Sequence, residues 1–240
     1  MHYISTSDAL EDYLMICDCD GVLVDSETVA ERIIVARLEA LWEQRGVLPV
    51  VRPLLGSRTE TVLAQTAAAL GHMLDENQAA AIQAAVVRAA GQAPMVEGIG
   101  EALAAIPLRK ACASNSFADY VKPLLDRTGL VRFFGERVFT ADQVPRPKPA
   151  PDVYLAAARR LRVAPERCIV VEDSVTGTSA AVAAGMTVLG YAGGAHAQQE
   201  QVEKLLKAGV REIFYSMKQL PPLVESWMQD ALAAAAATRE

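Results

Sequence analysis

Tyr13-Leu14-Met15-Ile16-Cys17-Asp18-Cys19-Asp20-Gly21-Val22-Leu23-Val24-Asp25-Ser26 opens as an apolar run and stops at two aspartates one residue apart, with a glycine directly behind them. A short apolar run bounded by a turn signal reads as a buried strand. Asp18 and Asp20 then stand where the strand ends, and alternation places them on the same side if the extended geometry persists. Gly21 lets the backbone leave at an angle that other residues resist. Two carboxylates this close repel, so a bound cation or a shared proton is needed to keep them together. An acidic turn after a core strand is the plainer alternative, and the rest of the chain has to decide between them.

The chain has 240 residues, room for one large domain or a core with a smaller accessory domain. Hydrophobic residues make up 52% but aromatics only 5%, so aliphatic side chains and alanine must do most of the packing. A formal net charge of -6 argues against a general nucleic-acid binder, while leaving room for a locally positive site that takes an anion. The N-terminal stretch carries Asp8, Glu11 and Asp12 and is unlike a signal peptide. No apolar stretch has the length of a membrane span. Cys17, Cys19, Cys112 and Cys168 lie mostly in strand-like runs without zinc-site spacing, which fits buried thiols in a reducing cytoplasm. Oligomeric state leaves no mark in the sequence.

Outward from the opening stretch, Val29, Ile33, Ile34, Leu38, Leu41 and Trp42 fall at helical spacing, predicting a helix over 27–45. Pro49 and Pro53 mark an irregular connection, a helix is expected over 59–70 closed by Gly71, and Asp75 caps a third that runs to Gly91. From Val96 the texture becomes alternating. Helices are expected at 101–105, 119–128, 152–161 and up to Ala184, and strands at 110–113, 137–139, 168–171 and 187–189. An edge strand at 212–215 and a terminal helix at 221–237 complete the pattern. The proline-rich segment 144–152 is a stiff loop, because proline lacks the backbone donor and restricts its predecessor. Alternation implies an α/β fold, a parallel sheet covered on both faces. It is interrupted by an all-helical cap, with the core at 1–28 and 97–240 and the cap at 29–96.

Ligands of open parallel sheets bind beyond the carboxyl ends of the strands. Those ends carry Asp18 and Asp20, Ser114 and Asn115, and Glu172 and Asp173, with Lys148 in the proline-rich loop. Singly, each has a plainer role: Asp173-Ser174 or Ser114 as a helix cap, Lys148 as a solvated loop residue. Jointly they supply a carboxylate nucleophile, a second carboxylate, hydroxyl and amide donors, a cation, and an acidic pair suited to a hard metal.

With those residues in view, the chain resembles the haloacid dehalogenase-like (HAD) superfamily, in its helical-cap phosphatase branch. Residues 18–26 match Asp-x-Asp-Gly-Val-x-x-Asp-Ser, Ser114-Asn115 the second motif, and Lys148-Pro149-x-Pro151-Asp152 the third. Glu172-Asp173-Ser174-x-x-Gly177 matches the fourth, all in family order. The resemblance implies a Rossmann-like parallel core and a phosphatase mechanism: Asp18 as nucleophile, Asp20 as acid and base, Lys148 restraining the nucleophile and neutralising charge. It implies Ser114 and the Asn115 backbone on phosphate oxygens. It implies Mg²⁺ held by Asp18, the Asp20 carbonyl, Asp173 and Glu172, the last directly or through water. Arg58, in the Gly56-Ser57-Arg58 turn, is the cap residue that the resemblance points toward substrate, with an exposed helix-start arginine as the plainer role. His196, after the fifth strand, is a second substrate-facing candidate, and His72 is expected on the surface.

Retention of Asp20 with Glu172 and Asp173 argues against a dehalogenase, which needs neither leaving-group acid nor metal. β-Phosphoglucomutase-like members carry a cap-side histidine where this chain has Ala30, so a sugar-phosphate mutase ranks second. The Asp18-Cys19-Asp20 variant and the loop 190–196 are similar to the branch that includes 6-phosphogluconate phosphatase, implying a small phosphorylated sugar or sugar acid as substrate. A non-catalytic binding protein on the same fold would be marked by loss of Asp18, Asp20 or Lys148, and all three are present.

Overall fold

A computed structural model describes residues 10–194 and 199–237, so His196 lies outside the described residues. Six parallel strands form one sheet in the order β3-β2-β1-β4-β5-β6. They are β1 (Leu14–Cys17), β2 (Arg109–Ala113), β3 (Val138–Phe139), β4 (Cys168–Glu172), β5 (Thr187–Tyr191) and β6 (Glu212–Phe214). The opening stretch thus supplies a central strand, with Leu14 in register with Arg109 on one side and Cys168 on the other. Its alternation divides the core. Met15 and Cys17 pack with Ile169 and Val171 on one face, whereas Leu14 and Ile16 pack with Val170 on the other. Burying both faces requires helices on both sides, which is why these strands are apolar throughout instead of alternating with polar residues. All four cysteines are buried free thiols.

After β1 the chain enters a helical block of α1 (Ser26–Trp42), α2 (Leu48–Val51), α3 (Thr59–Leu70) and α4 (Glu76–Ala90) before it returns to the sheet. They enclose a separate core of Ile34, Leu38, Val51, Leu63, Ile82 and Val86. Asp25 caps α1 by accepting from the Thr28 N–H, and Asp75 makes a reciprocal box with Gln78 at α4. The later helices are α5 (Ile99–Ala105), α6 (Ala118–Arg127), α7 (Val131–Phe134), α8 (Asp152–Leu161), α9 (Val175–Ala183), α10 (Gln199–Ala208) and α11 (Leu220–Ala237). None of the described helices is long and apolar enough to cross a membrane.

Several local expectations need correction. Pro49 and Pro53 sit within helical turns, at 48–51 and 52–54, because each occupies a first-turn position whose N–H needs no helical partner. Helix α1 ends at Trp42, with Glu43 left-handed, three residues short of the expected 45. Helices α7 and α10 add to the expected elements: α7 is a single turn, and α10 buries only Leu205. Glu172 is the last residue of β4 and not the first beyond it. His72, expected on the surface, is half-buried, stacked on Trp42 at 4.4 Å and hydrogen-bonded to Gln44.

The two chain segments joining the helical block to the sheet run side by side. The Asp25 N–H donates to Pro94 O at 2.9 Å and the Val96 N–H to Leu23 O at 3.1 Å. From α6, Arg127 donates to the carbonyls of Gly91 and Ala93, tying the second segment to the core.

Candidate active site

The carboxyl edge of the sheet gathers the residues that the sequence scattered. Asp18 continues β1, its N–H bonding Val171 O at 3.0 Å. Lys148, from the loop before α8, reaches across to donate to Asp18 Oδ1 at 2.6 Å, Glu172 Oε1 at 2.6 Å and Ala113 O at 3.0 Å. These contacts use all three ammonium protons, so the cation is fixed in direction as well as place. Asn115 holds the loop that presents it: its amide donates to Lys148 O, and its carbonyl accepts from the Lys148 N–H. That side-chain work differs from the expected phosphate contact, which concerned the Asn115 backbone. Ser114 is buried, and its hydroxyl accepts from the Ser116 N–H at 3.0 Å.

Glu172 is saturated. Besides Lys148, its Oε1 accepts from Tyr154 OH at 2.7 Å, and its Oε2 accepts from the Ser174 hydroxyl and the N–H groups of Asp173 and Ser174. Asp173 turns toward Gly21, where an added Cβ would stand 1.8 Å from its Oδ2. Only glycine fits there, and its positive φ of +81° is itself one that side chains resist.

Asp18, Glu172 and Asp173 are buried, and each offers an oxygen within 4.8 Å of the others'. Burial pushes the Asp18 carboxyl up to about 8 despite Lys148 beside it. Burial, with the charges of Glu27 and Glu172, pushes Asp173 well above the carboxylate range. Burial also opposes charge on Lys148 and on Glu172, but the charges of Asp18 and Glu172 hold Lys148 above its ordinary value, and Lys148 holds Glu172 below its own. If ionised, three carboxylates against one ammonium leave two negative charges, which a divalent cation balances. The donor set, all hard oxygen, fits Mg²⁺.

Asp20 is partnered differently. Its two oxygens accept from Ser116 Oγ and Tyr120 OH, each at 2.9 Å. Its carboxylate stands outside the acidic cluster. Sequence reading missed Ser116, Tyr120 and Tyr154 as site partners. Ser116 follows directly on Ser114-Asn115 and Tyr154 sits two residues into α8, but nothing in their spacing announces which carboxylate they reach. Arg58 is exposed at the N-cap of α3 and makes no ion pair among the described residues.

Comparison with known proteins bears on this arrangement. The model of the haloacid dehalogenase-like hydrolase family matches residues 14–185. The 6-phosphogluconate phosphatase of Escherichia coli (strain K12) is 26% identical over 181 residues, 75% of this chain and 82% of that protein. The fructose-1-phosphate phosphatase YqaB of the same organism is 27% identical over 176 residues, 72% of this chain and 92% of that protein. A HAD family hydrolase from Deinococcus radiodurans R1, solved with bound phosphate and sodium, superposes with a TM-score of 0.79 at 29% identity, covering 92% of this chain and 97% of that one.

Proposed function

The chain belongs to the haloacid dehalogenase-like hydrolase family, and we propose that it hydrolyses a small phosphate monoester, a sugar phosphate or phosphorylated sugar acid, through an aspartyl-phosphate on Asp18. The observation that carries this is the Lys148 bridge from Asp18 to Glu172, with Asp173 alongside, at the carboxyl edge of the sheet. The names of the phosphatase relatives support a phosphorylated sugar or sugar acid as substrate.

In the proposed reaction the Asp18 oxygen not held by Lys148 attacks phosphorus in line. The ester P–O bond breaks, its electron pair leaves with the alcohol oxygen, and Asp20 delivers a proton to that oxygen. Asp20 then takes a proton from water as the water oxygen attacks phosphorus, and cleavage of the acyl-phosphate P–O bond restores the Asp18 carboxylate. Lys148 keeps Asp18 aimed and offsets charge gathering on the phosphoryl oxygens, which Ser114 and the Asn115 N–H also hold. A bound Mg²⁺ would supply further positive charge against those oxygens, held by Asp18, Asp173, the Asp20 carbonyl and Glu172. Both Glu172 oxygens already accept from protein donors, so Glu172 would hold the ion less directly than Asp18 and Asp173.

The helical block, residues 29–96, acts as a cap over the core formed by 1–28 and 97–240. It excludes water and reads the rest of the substrate, with Arg58 as its polar contact. Purified protein should release inorganic phosphate from a panel of phosphorylated sugars with Mg²⁺ present and not in EDTA, and Asp18→Asn should release none in either. Conversion of β-glucose 1-phosphate into glucose 6-phosphate without free phosphate would replace this reading with a mutase. Equal activity of Asp18→Asn and the parent protein would remove the nucleophile.

A further inference from the structure

The two aspartates of the opening stretch differ most in what holds them. Asp18 is bound to a cation whose three protons are all committed. Asp20 is bound to two hydroxyls, Ser116 Oγ and Tyr120 OH, one on each carboxylate oxygen. An ammonium can only donate, so it suits a carboxylate that must stay anionic to attack phosphorus. A hydroxyl both donates and accepts, so it keeps its contact whether or not the carboxyl opposite carries a proton. A group that must gain and lose a proton in every turnover needs partners of the second kind.

The hydroxyls are also rigidly mounted. The Ser116 N–H is anchored on Ser114 Oγ at 3.0 Å, at the end of β2. Tyr120 lies in the first turn of α6, whose N-terminal Ala118 N–H is capped by Asp142 Oδ1 at 3.1 Å. Val121, Leu124 and Leu125 bury that helix, and the Tyr120 ring packs against the same core cluster. Asp20 itself lies in the loop that enters the helical block, so without these contacts its carboxylate would be free to rotate.

We propose that Tyr120 is a positioning residue for the hydrolytic reaction, holding the Asp20 carboxylate, together with Ser116, in the orientation from which it passes protons to and from oxygen. This rests on the reading of Asp20 as the acid and base. A purely structural tie between α6 and the loop would affect all substrates alike. A positioning role acts only through Asp20, and so only where the leaving oxygen needs a proton.

The test measures single-turnover alcohol release at saturating Mg²⁺ from 6-phosphogluconate, an alkyl ester, and from p-nitrophenyl phosphate, whose phenolate leaves unaided. Tyr120→Phe, which keeps the ring, should slow the alkyl ester about tenfold, a fraction of what general acid catalysis supplies. It should slow the aryl ester less than about twofold and leave KM unchanged for both, and Ser116→Ala should follow the same pattern. Added to Asp20→Asn, Tyr120→Phe should change nothing further. Parent-like rates for Tyr120→Phe on the alkyl ester, equal losses on both esters, or an added loss in the Asp20→Asn background would each overturn the proposal. Parent-like activity of Asp20→Asn would instead overturn the acid–base reading beneath it.

Discussion

Lys148 Nζ donates to Asp18 Oδ1 across 2.6 Å, although the two residues are 130 positions apart in the chain. The same ammonium meets Glu172 at 2.6 Å, so one buried cation holds two carboxylates brought from different strands. Removing it leaves Asp18 and Glu172 buried without the cation that both share. Lys148→Met should therefore lower kcat by a hundredfold or more. It should also destabilise the metal-free fold by about 3–5 kcal/mol. Added Mg²⁺ should return part of the stability but not the rate. Parent-like denaturant midpoints in EDTA would count against a buried pair of this weight.

The same cluster sets a pH dependence. Burial holds the Asp18 carboxyl near 8 and Asp173 well above its ordinary value, so the folded chain keeps protons that the unfolded chain releases near pH 4. In EDTA these groups should make stability fall as pH rises from about 4 toward about 8. Glu172, held low, works in the opposite sense: its contribution is full above the ordinary glutamate value and is lost as pH falls from there through its own lowered one. Mg²⁺ affinity should rise over the window in which Asp18 deprotonates, because the cation competes with those protons. Thermal unfolding at several pH values, with and without Mg²⁺, checks both slopes. Asp18→Asn should flatten the EDTA profile.

Gly177 offers a test in which packing and helix propensity disagree. Gly177 stands in the first turn of α9, where alanine in place of a helical glycine would ordinarily stabilise by up to about 0.5–1 kcal/mol. Here the added Cβ would stand 1.6 Å from Glu172 Oε1, and Glu172 is pinned by Lys148 and Tyr154. Gly177→Ala should instead destabilise by about 1–3 kcal/mol and depress activity through Glu172. A variant as stable as the parent would show that the Glu172 carboxylate has room to move.

Arg58 tests the cap. Its exposed side chain makes no ion pair among the described residues, so little stability depends on it. Arg58→Ala should leave the melting temperature unchanged and raise KM for sugar phosphates several-fold, with kcat nearly intact. An unchanged KM would return Arg58 to the role of an exposed helix start.

The strands, the first helix of the inserted block and the strand-end residues were legible because they rest on robust signals: apolar runs for β1 and β4, helical spacing around Ile34 and Leu38, and acids where runs stop; the strand order was not among them. What escaped was lateral. No sequence pattern tells that Tyr154 reaches Glu172, or that Tyr120 and Ser116 divide the oxygens of Asp20, because such pairs are set by how helices settle on the sheet. The short helix α7 escaped because one turn is too short to show a period, whereas α10 does carry apolar residues at helical spacing, Val202, Leu205 and Leu206, and was legible in principle. The proline turns at 48–54 escaped because proline forbids a helix interior but suits a first turn.

The central claim is the covalent role of Asp18. Rapid mixing of the Mg²⁺-loaded protein with a phosphorylated sugar that it hydrolyses, followed by acid quench and peptide mapping, should trap a phosphoryl group on the peptide carrying Asp18. The label should appear before steady-state phosphate release, decay on chase with unlabelled substrate, and be absent from Asp18→Asn. Turnover with no phosphorylated protein at any time point, or a phosphoryl group on a different residue, would contradict the account.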